Sequence, residues 1–97
     1  MTEDDYRADA AAKGYDAPVE KNLAADRYND WHIHPHCLYV YVVEGQMTLE
    51  LEVPGGRPAV TVLEPGSTIE VPVNLRHTER MGPAGARIFS APRPPAG

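Results

Sequence analysis

From Gln46 to Val53 the chain alternates without a break. Met47, Leu49, Leu51 and Val53 fall on one side, and Gln46, Thr48, Glu50 and Glu52 on the other. A period of two is that of a strand with one face on a core and the other in water. Elsewhere from Val19 onward, short apolar runs recur between turn residues. They predict strands over Val19–Leu23, Asp30–His34, Leu38–Val43, Met47–Val53, Ala59–Leu63, Ser67–Val71, His77–Met81 and Ala86–Ser90. The punctuation is Glu44-Gly45, Pro54-Gly55-Gly56, Glu64-Pro65-Gly66, Asn74 and Gly82-Pro83, with Pro54 to Arg57 read as a hairpin turn. About eight short strands at this spacing predict an all-β fold, a sandwich or a barrel.

The two ends read differently. Residues 1–17 form an N-terminal arm or a short helix. Thr2 with Asp5 three positions on resembles a capping box, and Gly14 would end the helix. Its apolar side chains are mostly alanine, which offers little to anchor it. Residues 18–90 make the barrel. Residues 91–97, rich in proline, are expected to lie loose or extended, because proline has no N–H for a sheet ladder.

Ninety-seven residues suffice for one domain. A core this thin gains from closing its strand edges or from pairing with a second copy, so a homodimer is expected. A net charge of -5 with scattered Lys and Arg argues against nucleic acid. One cysteine, Cys37, excludes an internal disulfide framework. No apolar run approaches a membrane span and no leader is recognisable, so a cytoplasmic chain with no membrane partner is expected.

The chemistry lies in the four histidines. His32 and His34 are two apart, so on a regular strand they project from one face. They are either polar strand surface or two ligands of a divalent metal site. The run that follows, Cys37-Leu38-Tyr39-Val40-Tyr41-Val42-Val43, is strongly apolar and favours a pocket. A third ligand has to come from another strand, and His77, alone, opens one. His36 is read as a solvated loop histidine, a general base at the rim or a substitute ligand, in that order.

These residues resemble the two motifs of the cupin family. The first is written G-x5-H-x-H-x3,4-E-x6-G. His32-Ile33-His34 fits H-x-H and Gly45 the closing glycine, but the glutamate position holds Leu38 and the opening glycine falls on Asp26. The second is G-x5-P-x-G-x2-H-x3-N. Gly66, Pro72 and His77 fit, Asn74 replaces the second glycine, and Met81 replaces the final asparagine. The resemblance covers about residues 26–81 and implies a double-stranded jelly-roll barrel. It also implies one divalent ion (Fe, Zn, Ni, Mn or Cu) on His32, His34 and His77, with no carboxylate. Asn in place of the glycine is mild, since Asn tolerates positive φ.

By parity, Val40 and Val42 should face the interior. Tyr39 and Tyr41 should pack between sheets or at a dimer contact, and Cys37 and Trp31 should point away from the His pair. Met47, Leu49, Leu51, Ile69, Val71 and one of Ile88 or Phe89 are lining candidates for a small, partly apolar ligand. Glu70 and Glu79 are acid–base types without context. Three functions follow from the resemblance: a metal-dependent enzyme (dioxygenase, lyase or isomerase) on a small molecule; a metal-independent lyase, dehydratase or cyclase using histidine as acid or base, with His36 among the candidates; and a non-catalytic small-molecule binder.

Overall fold

The computed structural model of the chain describes residues 1–94. One helix and six strands follow one another: α1 (Glu3–Ala12), β1 (Val19–Leu23), β2 (Tyr28–His32), β3 (Cys37–Leu51), β4 (Ala59–Leu63), β5 (Thr68–Val71) and β6 (His77–Arg93). All pairing is antiparallel, around a central pair of long strands, β3 and β6. The outer edge of β6 carries β2 and then β1. The outer edge of β3 carries β5 and then β4.

The expected eight strands become six because Glu44-Gly45 and Gly82-Pro83 are not turns. Each lies inside a continuous long strand. The register between β3 and β6 shifts between Val42 and Glu44 and again between Gly45 and Met47. Extra residues at such bulges bend the pair sharply without breaking it. The bend divides the sheet into two halves whose inner faces share one core. Val40, Val42 and Ile88 come from one half; Met47, Leu49 and Met81 come from the other. Val40 and Val42 therefore face inward, as their parity predicts.

Gly45 makes the bend feasible. Its φ is +78°, and a Cβ there would stand 2.1 Å from the Gly85 carbonyl oxygen. Two further left-handed positions are not glycines. Asp26 has φ +57° and Asn74 φ +60°. These are the two motif glycine positions that the sequence fills otherwise, and Asp and Asn are the side chains that tolerate this backbone best.

The N-terminal segment is a helix with a complete capping box. Thr2 Oγ1 accepts from the Asp5 amide (3.2 Å), and Asp5 Oδ2 accepts from the Thr2 amide (3.3 Å). Its anchor is not alanine but Tyr6, fully buried, whose hydroxyl donates to the Tyr39 carbonyl at 2.6 Å. The Tyr6 ring lies 4.9 Å from that of Tyr39 and 5.2 Å from that of Tyr41. The Tyr39 hydroxyl donates back to Asp9 on the helix at 2.6 Å. The outward tyrosines of β3 are thus covered by this chain's own helix, with Phe89 and Ala91 in the same cluster.

The proline-rich end also departs from expectation. Ala91, Pro92 and Arg93 continue β6 and pair with Tyr39, Leu38 and Cys37. Pro92 is tolerated because its carbonyl points away from β3, to the Asp16 amide at 2.8 Å. In an antiparallel strand a residue's N–H and C=O face the same side, so the missing N–H removes nothing from the β3 ladder. The last three residues of that expected loose tail, 95–97, lie outside the described residues. Among the described residues no helix is long and apolar enough to cross a membrane.

Candidate metal centre

Three histidines meet at one end of the barrel. β2 ends at His32, which lies directly across from His77, the first residue of β6. His77 is also paired on its other side with Leu51 of β3, so it sits inside the sheet and is fully buried. His34 lies beyond the end of β2, where strand parity no longer applies. It is held instead by its backbone, whose carbonyl accepts from the Asn74 amide at 2.9 Å. Left-handed Asn74 thereby ties the His34 loop to the turn that leads into His77.

The ring centroids of His32 and His77 are 4.3 Å apart, those of His32 and His34 5.0 Å, and those of His34 and His77 5.3 Å. One ring nitrogen from each lies within 4.8 Å of the others. The geometry expected of residues 32, 34 and 77 is therefore present, although one of the three reaches it from a loop.

The protonation pattern of two rings is set by their backbone partners. His32 Nδ1 donates to the Asp30 carbonyl at 2.6 Å, and His77 Nδ1 donates to the Leu75 carbonyl at 2.8 Å. A carbonyl only accepts, so the hydrogen sits on Nδ1 and a neutral ring carries its lone pair on Nε2. A second bond of this kind is what orients a ligating imidazole. The Nε2 atoms of His34 and His77 are buried and have no hydrogen-bond partner among the described residues. Leaving a buried polar atom unmet costs about 1–3 kcal/mol, so two such atoms side by side mark a place built for something else. Burial, and then the neighbouring His32 and His77 rings, hold His34 below its ordinary pKa. That keeps its lone pair free near neutral pH. Neutral imidazole nitrogens converging in a half-buried site fit a divalent cation.

The other sequence candidates separate. His36 stands beside His34, with ring centroids 5.7 Å apart, but it is outside the three-nitrogen cluster and off the cavity wall. Cys37 packs on the tyrosine side, with α1. Trp31 lies under the Arg76 guanidinium, 5.1 Å from it. The two glutamates part company. Glu70 is on the surface, accepting from the Tyr15 hydroxyl (2.8 Å) and the Lys13 ammonium (3.1 Å), and those contacts hold its carboxyl below the usual range, Tyr15 first. Glu79 turns into the histidine site, with Oε1 3.4 Å from His32 Nε2 and Oε2 3.9 Å from His77 Nε2. Its spacing after His77 puts both on one face of β6, but only the pairing of β2 with β6 brings Glu79 to His32.

A cavity of about 580 Å³ opens beside the cluster, a size suited to a small organic molecule. Leu38, Val40, Met47 and Ile88 supply apolar wall, and Lys21 and Arg27 supply positive charge. Lys21 is placed there because its partner across β1 and β6 is inward-facing Ile88. Of the expected apolar lining, Met47 and Ile88 reach the cavity, while Leu49 and Val71 are core.

A profile of the cupin domain matches residues 21–88. No curated protein matches the chain. Among solved structures, a variant of oxalate decarboxylase from Bacillus subtilis is similar at a TM-score of 0.71 and 19% identity, over 80% of this chain and 21% of that one. A structure of that enzyme is described by its Mn(II) centres. An RmlC-like cupin from Shewanella frigidimarina NCIMB 400 aligns at a TM-score of 0.67 and 23% identity, over 81% of this chain and 66% of that one. CENP-C of Drosophila melanogaster, bound to CAL1, aligns at 0.63 and 16%, over 74% and 59%. The chain spans about a fifth of the length of the oxalate decarboxylase chain, and at these identities the likeness carries the fold alone.

Proposed function

We propose a metal-dependent enzyme of small organic molecules for this chain, which belongs to the cupin family. The observation that carries the reading is the pair of buried, unpartnered Nε2 atoms of His34 and His77, beside a His32 ring whose tautomer is fixed for ligation. His32, His34 and His77 would hold one divalent ion through Nε2, as the Mn(II) centres of the oxalate decarboxylase fold relative make plausible for this barrel. Bound there, such an ion would supply Lewis acidity toward an oxygen of the ligand.

The chain's own residues do the rest. The Asp30 and Leu75 carbonyls fix the rings of His32 and His77 and so the direction of their lone pairs. Leu38, Val40, Met47 and Ile88 displace water and receive the apolar part of the ligand. Neither Lys21 nor Arg27 forms an ion pair among the described residues. Both are available to an anionic group, so a small acid or enol suits the cavity better than a neutral hydrocarbon.

One contact favours a second reading. His32 and Glu79 at 3.4 Å form an acid–base pair if a proton rather than a metal ion lies between them. That would make the chain a metal-independent lyase, dehydratase or cyclase. The two are separated by incubating untagged protein with a panel of small oxo, hydroxy and enol acids, in air, before and after stripping with a strong chelator. We expect turnover that disappears on stripping and returns with one equivalent of a single metal. Full turnover by stripped protein would reject the metal reading in favour of the second. Binding without any turnover would leave a non-catalytic binder.

A further inference from the structure

Among the described residues β1, β2, β4 and β5 each pair with a single neighbouring strand, so each has an open outer edge. An open edge offers unpaired N–H and C=O groups to any other strand, and proteins ordinarily defend it with charge, a bulge, brevity or a cover. Three of these edges are defended. β1 carries Glu20 and Lys21. β2 carries Asp30 and a register shift between Asn29 and His32. β5 has only four residues, and its Glu70 is engaged by Lys13 and Tyr15 from the segment that follows α1. β4 has none of these devices. It runs Ala59-Val60-Thr61-Val62-Leu63, with neither a charge nor a proline. Leu63 is buried, whereas Val60 and Val62 leave the opposite face, 64% and 49% exposed.

The flanks of β4 show what its edge fits. Arg57 precedes the strand and Glu64 follows it. Neither forms an ion pair among the described residues; Glu64 accepts from the Gln46 amide at 2.9 Å. An antiparallel strand of the same sequence reverses that polarity and sets Arg57 of each copy beside Glu64 of the other. We propose that β4 pairs antiparallel with β4 of a second copy of this chain, about a two-fold axis at Thr61. Val60 of one copy then lies opposite Val62 of the other, twice over, and such β-branched cross-strand pairs are favourable. The ladder adds about four to six hydrogen bonds and joins the two six-stranded sheets. Pro58 and Pro65 bound it, since neither has an N–H to donate. β4 contributes nothing to the cavity wall, so the pairing leaves the histidine site open and stands apart from the metal reading. So short an edge buries less than the about 1,200–2,000 Å² of a standard interface, which puts the dimer in the micromolar rather than the nanomolar range.

Sedimentation velocity of untagged protein over a wide concentration range is the test. Wild type is expected to pass from monomer to dimer and to stop there, because a two-fold pairing uses up the open β4 edge of each chain. Val60→Lys and Val62→Lys alter side chains that are exposed in the single chain, so both are expected to melt like wild type as monomers and to weaken the dimer about tenfold or more. Arg57→Glu sets like charges side by side and is expected to weaken it severalfold; adding Glu64→Arg is expected to restore it. Failure of the combination to restore it would overturn the register. A chain that stays monomeric at every concentration would overturn the pairing. So would a dimer that both lysine variants form as tightly as wild type, or species that keep growing beyond two chains. If the lysine variants do not fold, hydrogen exchange of wild type decides. The amides of residues 59–63 are expected to gain protection as concentration rises, and unchanged protection contradicts the proposal.

Discussion

His77→Ala is expected to lower affinity for a divalent ion by at least a hundredfold while leaving a folded protein. His77 is the ligand candidate with the least freedom. It is fully buried, paired by backbone to strands on both sides, and its Nδ1 is committed to the Leu75 carbonyl. Removing it deletes one of three imidazole donors and leaves His32 and His34, neither of which can reach around the ion. The alternative role for a buried histidine is packing. That role predicts a loss of folding stability of about 2–4 kcal/mol in metal-free protein and no change in metal uptake. Isothermal titration with Zn²⁺ and urea unfolding of the stripped protein, run on the same preparation, tell the two apart. Undiminished uptake by a folded His77→Ala would remove this residue from the centre.

The second large effect is on the fold. Gly45→Ala is expected to cost about 3–5 kcal/mol, a large share of the 5–15 kcal/mol by which small domains are stable. Two penalties combine. The left-handed backbone at φ +78° disfavours any side chain by about 1–2 kcal/mol. The new methyl would also meet the Gly85 carbonyl oxygen at 2.1 Å and Ala86 Cα at 2.9 Å, both backbone atoms, so relief requires moving the bend between β3 and β6. Gly55→Ala isolates the first penalty. It has φ +73° with no atom of the described residues within 4 Å of the added carbon, so it should cost only about 1–2 kcal/mol. Urea midpoints of the two variants measure the difference. Equal losses would mean that the close approach at Gly45 contributes nothing.

Gly45 also shows how far the sequence could be read. As a glycine it was conspicuous, both as punctuation and as the last position of a motif. Its role was misjudged because a bulge and a hairpin turn recruit the same residue types. Only the pairing partner, which is distant in sequence, decides whether the chain reverses or bends. The same ambiguity hid the continuity of β6 through Gly82-Pro83. By contrast, the alternation from Gln46 to Leu51 was legible because burial on a single sheet face writes itself directly into a period of two. Tyr6 was overlooked because a helix of alanines looks weakly held, and one aromatic anchor outweighs them: a buried aromatic covers about 150–250 Å².

The centre was legible to a similar degree. Position 77 could be paired with 32 and 34 because histidines are scarce and a distant strand had to supply the third ring. His34 was reasoned from a strand that in fact ends at His32, and it arrives by way of the tether from Asn74. Glu79 required knowing that β2 runs alongside the start of β6, since a carboxylate two residues after a histidine is common on exposed strands. The pairing of His32 with His77 makes it part of the site.

Elemental analysis of untagged protein, purified without chelator and then reconstituted, probes the convergence of the three imidazoles most directly. Close to one equivalent of a single divalent metal per chain is predicted, removable by chelator and restored at the same stoichiometry. Protein that carries none and accepts none, at a pH where imidazoles are neutral, would show that these nitrogens meet for some other purpose.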